Sequence, residues 1–358
     1  MSGKPRAMLR TVIAAPGDTR ETKATGSEAR CLPVSVVIPA YNRADMLARA
    51  LESVAAQRPS APAEVIVVDD ASSDNTARVA EASGIRVIRH ECNRGEGAAR
   101  NTGIEAASQP WIALLDSDDE WLPHHLDVLW ELRANHVLVA ASALSQDEQL
   151  GLQRFAGLVT RRPATLRSAN SLLYPQNFVA PSATMMKRQA LLDAGLYRTD
   201  LPRAADLELL LRVLGHGTGI VTPRVGVLYH QHRGQVSGDR SEMRLAHWDV
   251  STALVERGGA SSSLLERIRG AIAWDDLRAA LAAGRRPDAF SQARLLVSHP
   301  QRVIGLLGTL AWRGLARRRS RTVSRRGITV GGRSRPAPLE SAVEAVLLRA
   351  FDLRPVEH

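Results

Sequence analysis

The chain has 358 residues, a formal net charge of +10, 44% hydrophobic residues and 23% charged residues. These proportions are those of a globular protein and exclude a collagen-like, low-complexity or wholly disordered chain. Two cysteines, Cys31 and Cys92, are too few for a disulfide framework, and we expect both to be free thiols. The longest uncharged apolar run, Val303 to Trp312, is shorter than the roughly 18 residues that a membrane span needs. We therefore expect a cytoplasmic protein, soluble or peripheral to a membrane.

Ordered structure is predicted to begin at Leu32, after a disordered tail over residues 1–31. Val34 to Ile38 is a continuous β-branched run, typical of a strand buried on both faces of a sheet. A helical stripe from Met46 to Ala55 follows, and then a second buried strand, Val65 to Val68. This order of elements predicts a βαβ unit.

The alternation of strands and helices continues along the next 80 or so residues. The predicted elements are a helix reaching Ala82 and capped by Asp74 or Ser73, strand Ile85 to Ile88, helix Gly97 to Ala107, strand Trp111 to Leu115, helix His124 to Ala134 and strand Val137 to Ala143. The pattern predicts an α/β fold with a mostly parallel, doubly wound sheet and helices on both faces. Ligands of such sheets bind outside the carboxyl ends of the strands.

The later sequence is predicted to be mainly helical. Short helices are predicted from Ala190 to Leu196 and from Leu207 to Leu214, and further helices beyond about Gly238. Crowded arginines from Arg313 to Arg333, with glycines and prolines, indicate a flexible connection to a last helix from Glu340 to Phe351. We divide the chain into a domain over 32–238, with halves 32–145 and 146–238, and a helical, arginine-rich region over 239–358.

Two carboxylates, Asp116 and Asp118, follow the predicted fourth strand at a spacing of i, i+2. Hard oxygen ligands of this kind suit Mg²⁺ or Mn²⁺, which keep positions open for the oxygens of a diphosphate. The alternative is that these acids cap the next helix or solvate a turn. Because Asp119 is adjacent, the spacing leaves open which acids contact the ion.

Polar residues also follow the first three predicted strands. Tyr41 offers a ring for base stacking or for ordinary packing, and Asp70 offers a carboxylate for a base N–H, a ribose hydroxyl or a helix cap. Arg94 and Arg100 lie near a helix N-terminus, a favourable place for phosphate. The segment Gly95 to Arg100 lacks the third glycine of a dinucleotide-binding fingerprint and follows the third strand, so we exclude NAD.

Four ordered segments together resemble the family 2 glycosyltransferases of the GT-A fold. They are Val36-Val37-Ile38-Pro39-Ala40-Tyr41-Asn42, Val67-Val68-Asp69-Asp70-Ala71-Ser72, Asn93-Arg94-Gly95 with Ala99-Arg100-Asn101, and Leu115-Asp116-Ser117-Asp118-Asp119. The resemblance implies a Rossmann-like, nucleotide-diphospho-sugar transferase fold. It also implies a nucleotide-sugar site formed by Pro39, Tyr41, Asn42, Asp70, Arg100, Asp116 and Ser117, and a metal held by Asp116, Asp118 and His232.

The resemblance extends more thinly to about Ser237. An acidic pair precedes an apolar helix in the family and supplies the catalytic base; here Asp206 remains, and Ala205 replaces the first acid. A helix cap is the alternative for Asp206. His232 fits the family's metal-binding position better than His230, although both histidines also fit a surface loop. The segment Pro181-Ser182-Ala183 corresponds to the acceptor cleft or to a turn.

The C-terminal region lies outside the resemblance. Apolar residues recur at helical spacing from Val303 to Leu315, and seven arginines stand between Arg313 and Arg326. An amphipathic helix beside a basic cluster fits an anionic membrane surface. Such a stripe more often packs on the catalytic domain, with the arginines on a solvated face.

These features together predict an inverting glycosyltransferase of polysaccharide or glycoconjugate biosynthesis that uses Mn²⁺ or Mg²⁺. We expect a UDP- or dTDP-sugar donor and an acceptor hydroxyl on a saccharide, a lipid-linked molecule or a small molecule, with Asp206 as general base. Peripheral contact with the inner face of the cell membrane is a further expectation, and nucleic acid is not expected as a partner. The alternatives are a nucleotidyltransferase of similar fold and a catalytically silent, anion-binding adaptor.

Overall fold

The structure is a computed structural model and describes residues 30–147, 152–158, 160, 162–168, 179–232, 240–326 and 353–355. Its strands are β1 (Arg30–Ala40), β2 (Ser60–Asp69), β3 (Arg86–Arg89), β4 (Trp111–Leu114), β5 (Glu120–Trp121), β6 (Leu138–Asp147), β7 (Leu152–Ala156), β8 (Ala164–Leu166), β9 (Thr184–Lys187), β10 (Gly219–Gln231) and β11 (Leu353–Pro355). Its α-helices are α1 (Ala44–Ala55), α2 (Thr76–Ala82), α3 (Glu96–Ala106), α4 (His125–Leu132), α5 (Arg188–Asp193), α6 (Ala205–Val213), α7 (Arg240–Glu256), α8 (Ser262–Ala282), α9 (Arg286–Val297) and α10 (Pro300–Arg326).

Eleven strands of the described residues form one sheet with the order β11-β8-β10-β6-β9-β4-β1-β2-β3, and β5 and β7 pair with β10 and β6. Strands β1 to β4 pair in parallel, β9 lies antiparallel between β4 and β6, and β10 is parallel to β6. Six strands, β1 to β4, β6 and β10, therefore run in one direction and end at the same edge. The predicted α/β class is confirmed, in a mixed sheet rather than a mostly parallel one.

The central strands are buried on both faces, as their β-branched runs predicted. Val36 and Ile38 pack in one apolar core with Leu47 of α1, whereas the intervening Val37 packs in a second core with Ile104 of α3. Successive side chains of a strand point to opposite faces. Helices therefore cover both faces of the sheet.

Three predictions from the sequence are corrected at the ends of the fold. Strand β1 begins at Arg30, so Arg30 and Cys31 belong to the sheet and not to the predicted tail, whose other residues, 1–29, lie outside the described part of the chain. Helix α10 continues to Arg326, where a flexible connection was predicted. Strand β11 pairs antiparallel with β8, so the predicted helical region also contributes a strand. The predicted last helix, Glu340 to Phe351, lies outside the described residues.

The helices beyond residue 240 pack closely on one another. A Cβ atom at Gly270 of α8 would lie 2.1 Å from the Arg302 carbonyl oxygen, and one at Gly305 of α10 would lie 2.1 Å from the Arg267 carbonyl oxygen. Arg313 of α10 donates to both carboxylate oxygens of Asp275, at 2.7 and 2.8 Å. Glycine therefore allows the backbones of α8 and α10 to touch.

Candidate active site

The loop after β4 is held by a buried carboxylate, Asp119. Its Oδ2 accepts a hydrogen bond from Ser182 Oγ at 2.5 Å, and its Oδ1 accepts one from the backbone N–H of His230 at 3.2 Å. Burial raises the pKa of Asp119 well above its ordinary value. Since Asp119 and Ser117 are buried in the turn, the structure leaves Asp116 and Asp118 as the acids that face the site.

Ser182 connects this loop to a distant part of the chain. Its hydroxyl accepts from the backbone N–H of Asp116 at 3.0 Å while donating to Asp119, and its carbonyl accepts from Trp121 Nε1 at 2.7 Å. Pro181 to Ala183 form a short 3-10 turn. Of the two interpretations of this segment, the structure shows the turn.

Arg100 pairs with two carboxylates. Its Nη2 lies 2.6 Å from Asp116 Oδ1 and 2.6 Å from Glu96 Oε1, and its guanidinium lies 5.2 Å from the centre of the Tyr197 ring. The resemblance implied contact with phosphates, but the structure places the buried guanidinium on the acids of the site. Arg100 therefore opposes the charges of Asp116 and Glu96, and its contact with phosphates stays a prediction.

The pKa values of these acids reflect their crowding. Burial raises the pKa of Asp116, with Asp118 and Asp206 adding to the rise against the opposing charge of Arg100. Arg100 lowers the pKa of Glu96, but loss of solvation and the charges of the three aspartates outweigh it and raise the pKa to about 7. The acids of this edge therefore repel one another and favour a bound cation.

The two histidines after β10 have different partners. His232 Nε2 lies 2.9 Å from Asp118 Oδ2, and His230 Nε2 lies 2.9 Å from Glu120 Oε1. His232 is thus the histidine beside the acidic pair, as the family pattern implied.

A divalent ion fits part of the predicted ligand set. In the described residues no three His, Cys, Asp or Glu side chains converge as a ready metal cage. Asp118 and His232 are adjacent oxygen and nitrogen donors, and Mg²⁺ commonly takes one or two protein ligands with the remainder from water and phosphate. Asp116, the third predicted ligand, is paired with Arg100 instead.

Asp206 lies in the first turn of α6. The residue at the N-cap is Ala204, at φ 55°, so Asp206 is inside the helix and is not its cap. Within the described part of the chain, no hydrogen bond engages its half-buried carboxylate. Its charge raises the pKa of Asp116 and of Glu96, so Asp206 lies near the same acidic edge.

Asp70 holds a neighbouring loop. Its carboxylate accepts from the backbone N–H groups of Arg94 at 2.9 Å and Gly95 at 2.8 Å, and lies 2.6 Å from His90 Nδ1. The sequence interpretation directed Asp70 into the site, whereas the structure buries its oxygens against this loop. Its contact with a base stays a prediction.

The first strand end presents one accessible ring. Tyr41 is 45% exposed, whereas Pro39 is buried within β1, and the nucleotide contact of Pro39 stays a prediction. Asn42, at φ 51°, accepts from the backbone N–H of Ser73 at 2.8 Å through Oδ1. Asn42 therefore joins two strand-end loops and leaves Tyr41 open beside them.

Two residues of the site, Glu96 and Tyr197, were not singled out from the sequence. Glu96 stands four residues before Arg100 on α3, a spacing that signals an ion pair on one helix face. Tyr197 reaches the acidic edge from a segment far along the chain, and no local pattern marks it. Ser182 belongs to a segment that the sequence did single out, but its hydrogen bonds to the loop of Asp116 and Asp119 were not predicted.

Comparison with known proteins decides the family. A sequence model described as Glycosyl transferase family 2 matches residues 35–194. The succinoglycan biosynthesis protein ExoO of Rhizobium meliloti (strain 1021) is 33% identical over 240 residues, which cover 62% of this chain and 67% of that protein. The chain belongs to glycosyl transferase family 2.

A further relative and a solved structure are also similar to this chain. The Escherichia coli protein named UDP-Glc:alpha-D-GlcNAc-diphosphoundecaprenol beta-1,3-glucosyltransferase WfgD is 40% identical over 98 residues, covering 26% of this chain and 38% of that protein. The structure of S. aureus TarS 1-349 in complex with UDP-GlcNAc superposes with a TM-score of 0.55 at 16% identity, covering 82% of this chain and 92% of that one, and shows the same fold. The chain spans about two thirds or less of the length of the first curated relatives it matches.

Proposed function

We propose that the chain transfers one sugar from a nucleoside diphosphate sugar to an acceptor hydroxyl, with inversion at the anomeric carbon. The observation that carries the proposal is the nearness of Asp206, in the first turn of α6, to the acidic edge: its charge raises the pKa of the buried Asp116. A base on one side of the site and a diphosphate on the other suit a single in-line displacement.

Asp206 acts as the general base in this proposal. Its carboxylate is free of hydrogen bonds in the described residues, so it accepts the proton of the acceptor hydroxyl as the oxygen attacks the sugar carbon. Ala205, where the family has a second acid, leaves this role to one carboxylate. Arg100 and Tyr197 fix Asp116 beside the leaving group's path.

Asp118 and His232 would hold Mn²⁺ or Mg²⁺. When bound, the ion neutralises negative charge on the departing diphosphate.

Tyr41 stacks on the nucleotide base, and the names of WfgD and of the TarS complex support UDP as the nucleotide, with dTDP as the alternative. The acceptor is a saccharide, a lipid-linked molecule or a small molecule, reached from the cytoplasm at the inner face of the membrane.

The proposal is tested with a panel of UDP- and dTDP-sugars and Mn²⁺, measuring donor binding and release of the nucleoside diphosphate. Asp206→Asn should retain donor affinity within about twofold and lose turnover by about 10²- to 10⁴-fold. Asp288→Asn, which also removes a carboxylate from the first turn of a helix, should leave both unchanged. Equal turnover in Asp206→Asn and the parent would contradict the proposed base.

The same panel distinguishes the alternatives. Release of inorganic diphosphate from a nucleoside triphosphate would identify a nucleotidyltransferase. A parent protein that binds no sugar nucleotide, yet binds anions in a salt-sensitive way, would identify the adaptor.

A further inference from the structure

Helices α9 and α10 expose a set of large apolar side chains, here called the α9–α10 face. Its members are Phe290, Val297, Val303, Ile304, Leu307 and Leu310. Phe290 is 73% exposed, Val297 75% and Leu307 61%. Large apolar side chains left exposed in such number on neighbouring helices indicate an interaction site.

The opposite side of α10 is already used in packing. Gly305 contacts the backbone of α8, Thr309 is 2% exposed, and Arg313 pairs with Asp275. Helical spacing places Val303, Leu307 and Leu310 away from that contact. The exposed side chains are therefore a separate surface and not a loose part of the core.

The charge of these two helices is almost wholly positive. From Arg286 to Arg326 the sequence has ten arginines and a single acid, Asp288. Arg294 lies four residues after Phe290 and three before Val297, and its side chain is exposed, as is that of Arg318. On α9, Phe290, Arg294 and Val297 thus share one helix face, which combines apolar and cationic side chains.

We propose that the α9–α10 face docks on a lipid bilayer that carries anionic headgroups. The apolar side chains enter the boundary between headgroups and acyl chains, and the arginines pair with the headgroups. No helix of the described residues is long and apolar enough to cross the bilayer, so the contact is peripheral. This proposal rests on the proposed function only for the location at a membrane, which it makes specific. Binding to a bilayer is measured without any substrate, so its failure would leave the proposed sugar transfer untouched.

Charge favours the bilayer over other occupants of the face. A second copy would bring two arginine-rich surfaces together, which like charges oppose. A nucleic acid would satisfy the arginines but leave Val303, Ile304 and Leu307 in water. An anionic bilayer satisfies both kinds of side chain.

The test is flotation of the full chain with vesicles of phosphatidylcholine alone and of phosphatidylcholine with phosphatidylglycerol. Binding is expected only to the anionic vesicles and should weaken as salt is raised. The double variant Leu307→Ser with Leu310→Ser should bind about tenfold or more weakly. Leu245→Ser, whose leucine is 64% exposed on α7, is the matched apolar control and should bind as the parent does.

A second pair of variants tests the charge. Arg294→Gln with Arg318→Gln should weaken binding several-fold, whereas Arg78→Gln with Arg257→Gln, an equal loss of exposed charge elsewhere, should not. Failure of the parent to bind anionic vesicles would overturn the proposal. Unchanged binding of the leucine double variant would also overturn it, because the parent would then bind by ionic adsorption alone. A third contrary result is a parent that binds no vesicles but self-associates, with the self-association lost in the leucine double variant.

Discussion

At the scale of single residues, the acidic edge depends on a serine that comes from another part of the sequence. Ser182 bridges the backbone of Asp116 and the buried carboxyl of Asp119. One hydroxyl thereby sets where the neighbouring Asp118 stands. Small polar residues can thus control a site that they do not enter.

Ser182→Ala should lower the free energy of unfolding by about 1–3 kcal/mol, because the buried Asp119 loses a donor. We also expect kcat/KM to fall as the acidic loop loosens. Denaturant unfolding and donor hydrolysis measure the two effects. Ser83→Ala, which removes a hydroxyl bonded only to the Val79 carbonyl at 3.0 Å on a half-buried helix end, should cost less than about 1 kcal/mol. Equal losses in both variants would contradict a special role for Ser182.

The sequence predicted the positions of site residues that adjoin a strand or a helix, but it did not predict which side chains pair with one another. Asp116, Asp118 and Asp206 could be predicted because each adjoins an apolar run that fixes its place on the sheet edge. The occupied oxygens of Asp70 and the pairing of Arg100 could not, because they depend on side-chain partners chosen by tertiary packing.

At the scale of helices and strands, local apolar patterns predicted most elements but not their partners. The βαβ order followed from runs such as Val65 to Val68. The antiparallel insertion of β9 and the return of β11 to β8 pair segments that are distant in sequence, and no short pattern encodes them.

Gly270→Ala should destabilise the packing of α8 on α10 by about 1–3 kcal/mol, since the new methyl group would meet the Arg302 carbonyl. Gly314→Ala is the matched control: it lies on α10 with no heavy atom within 4 Å of an added Cβ and should be neutral or stabilising by up to about 1 kcal/mol. Thermal unfolding measures both. A destabilisation of the same size in the two variants would argue against the close contact.

At the scale of the whole molecule, stability should depend on pH through a buried histidine. His125 packs against Trp121 with ring centres 4.7 Å apart, and neither ring nitrogen has a partner among the described residues. Burial lowers the pKa of His125 from 6.5 to about 3. Between pH 6.5 and about 3, the unfolded chain therefore binds a proton at His125 that the folded chain does not bind. The free energy of unfolding falls as pH drops from 6.5 toward 3.

His125→Leu should flatten that slope, measured by denaturant unfolding across the acid range. Glu96, with its pKa raised to about 7, contributes an opposing slope, so the comparison is the difference between variant and parent curves. The control is Leu281→Ala, which changes an exposed apolar side chain of α8 and no titratable group, so it should leave the slope as it is. A parent and His125→Leu variant with the same pH dependence would contradict a neutral buried imidazole.

The bond from the His230 backbone to Asp119 has a practical consequence for dividing the protein. A fragment confined to residues 35–194, the span of the family match, would contain the strand-end loops. It would lack His230, whose backbone N–H donates to Asp119 in the loop after β4. It would also lose Asp206 and His232, so it would be expected to recognise nucleotides poorly and to turn over nothing. Under the proposed function, the smallest catalytic unit would therefore extend past β10.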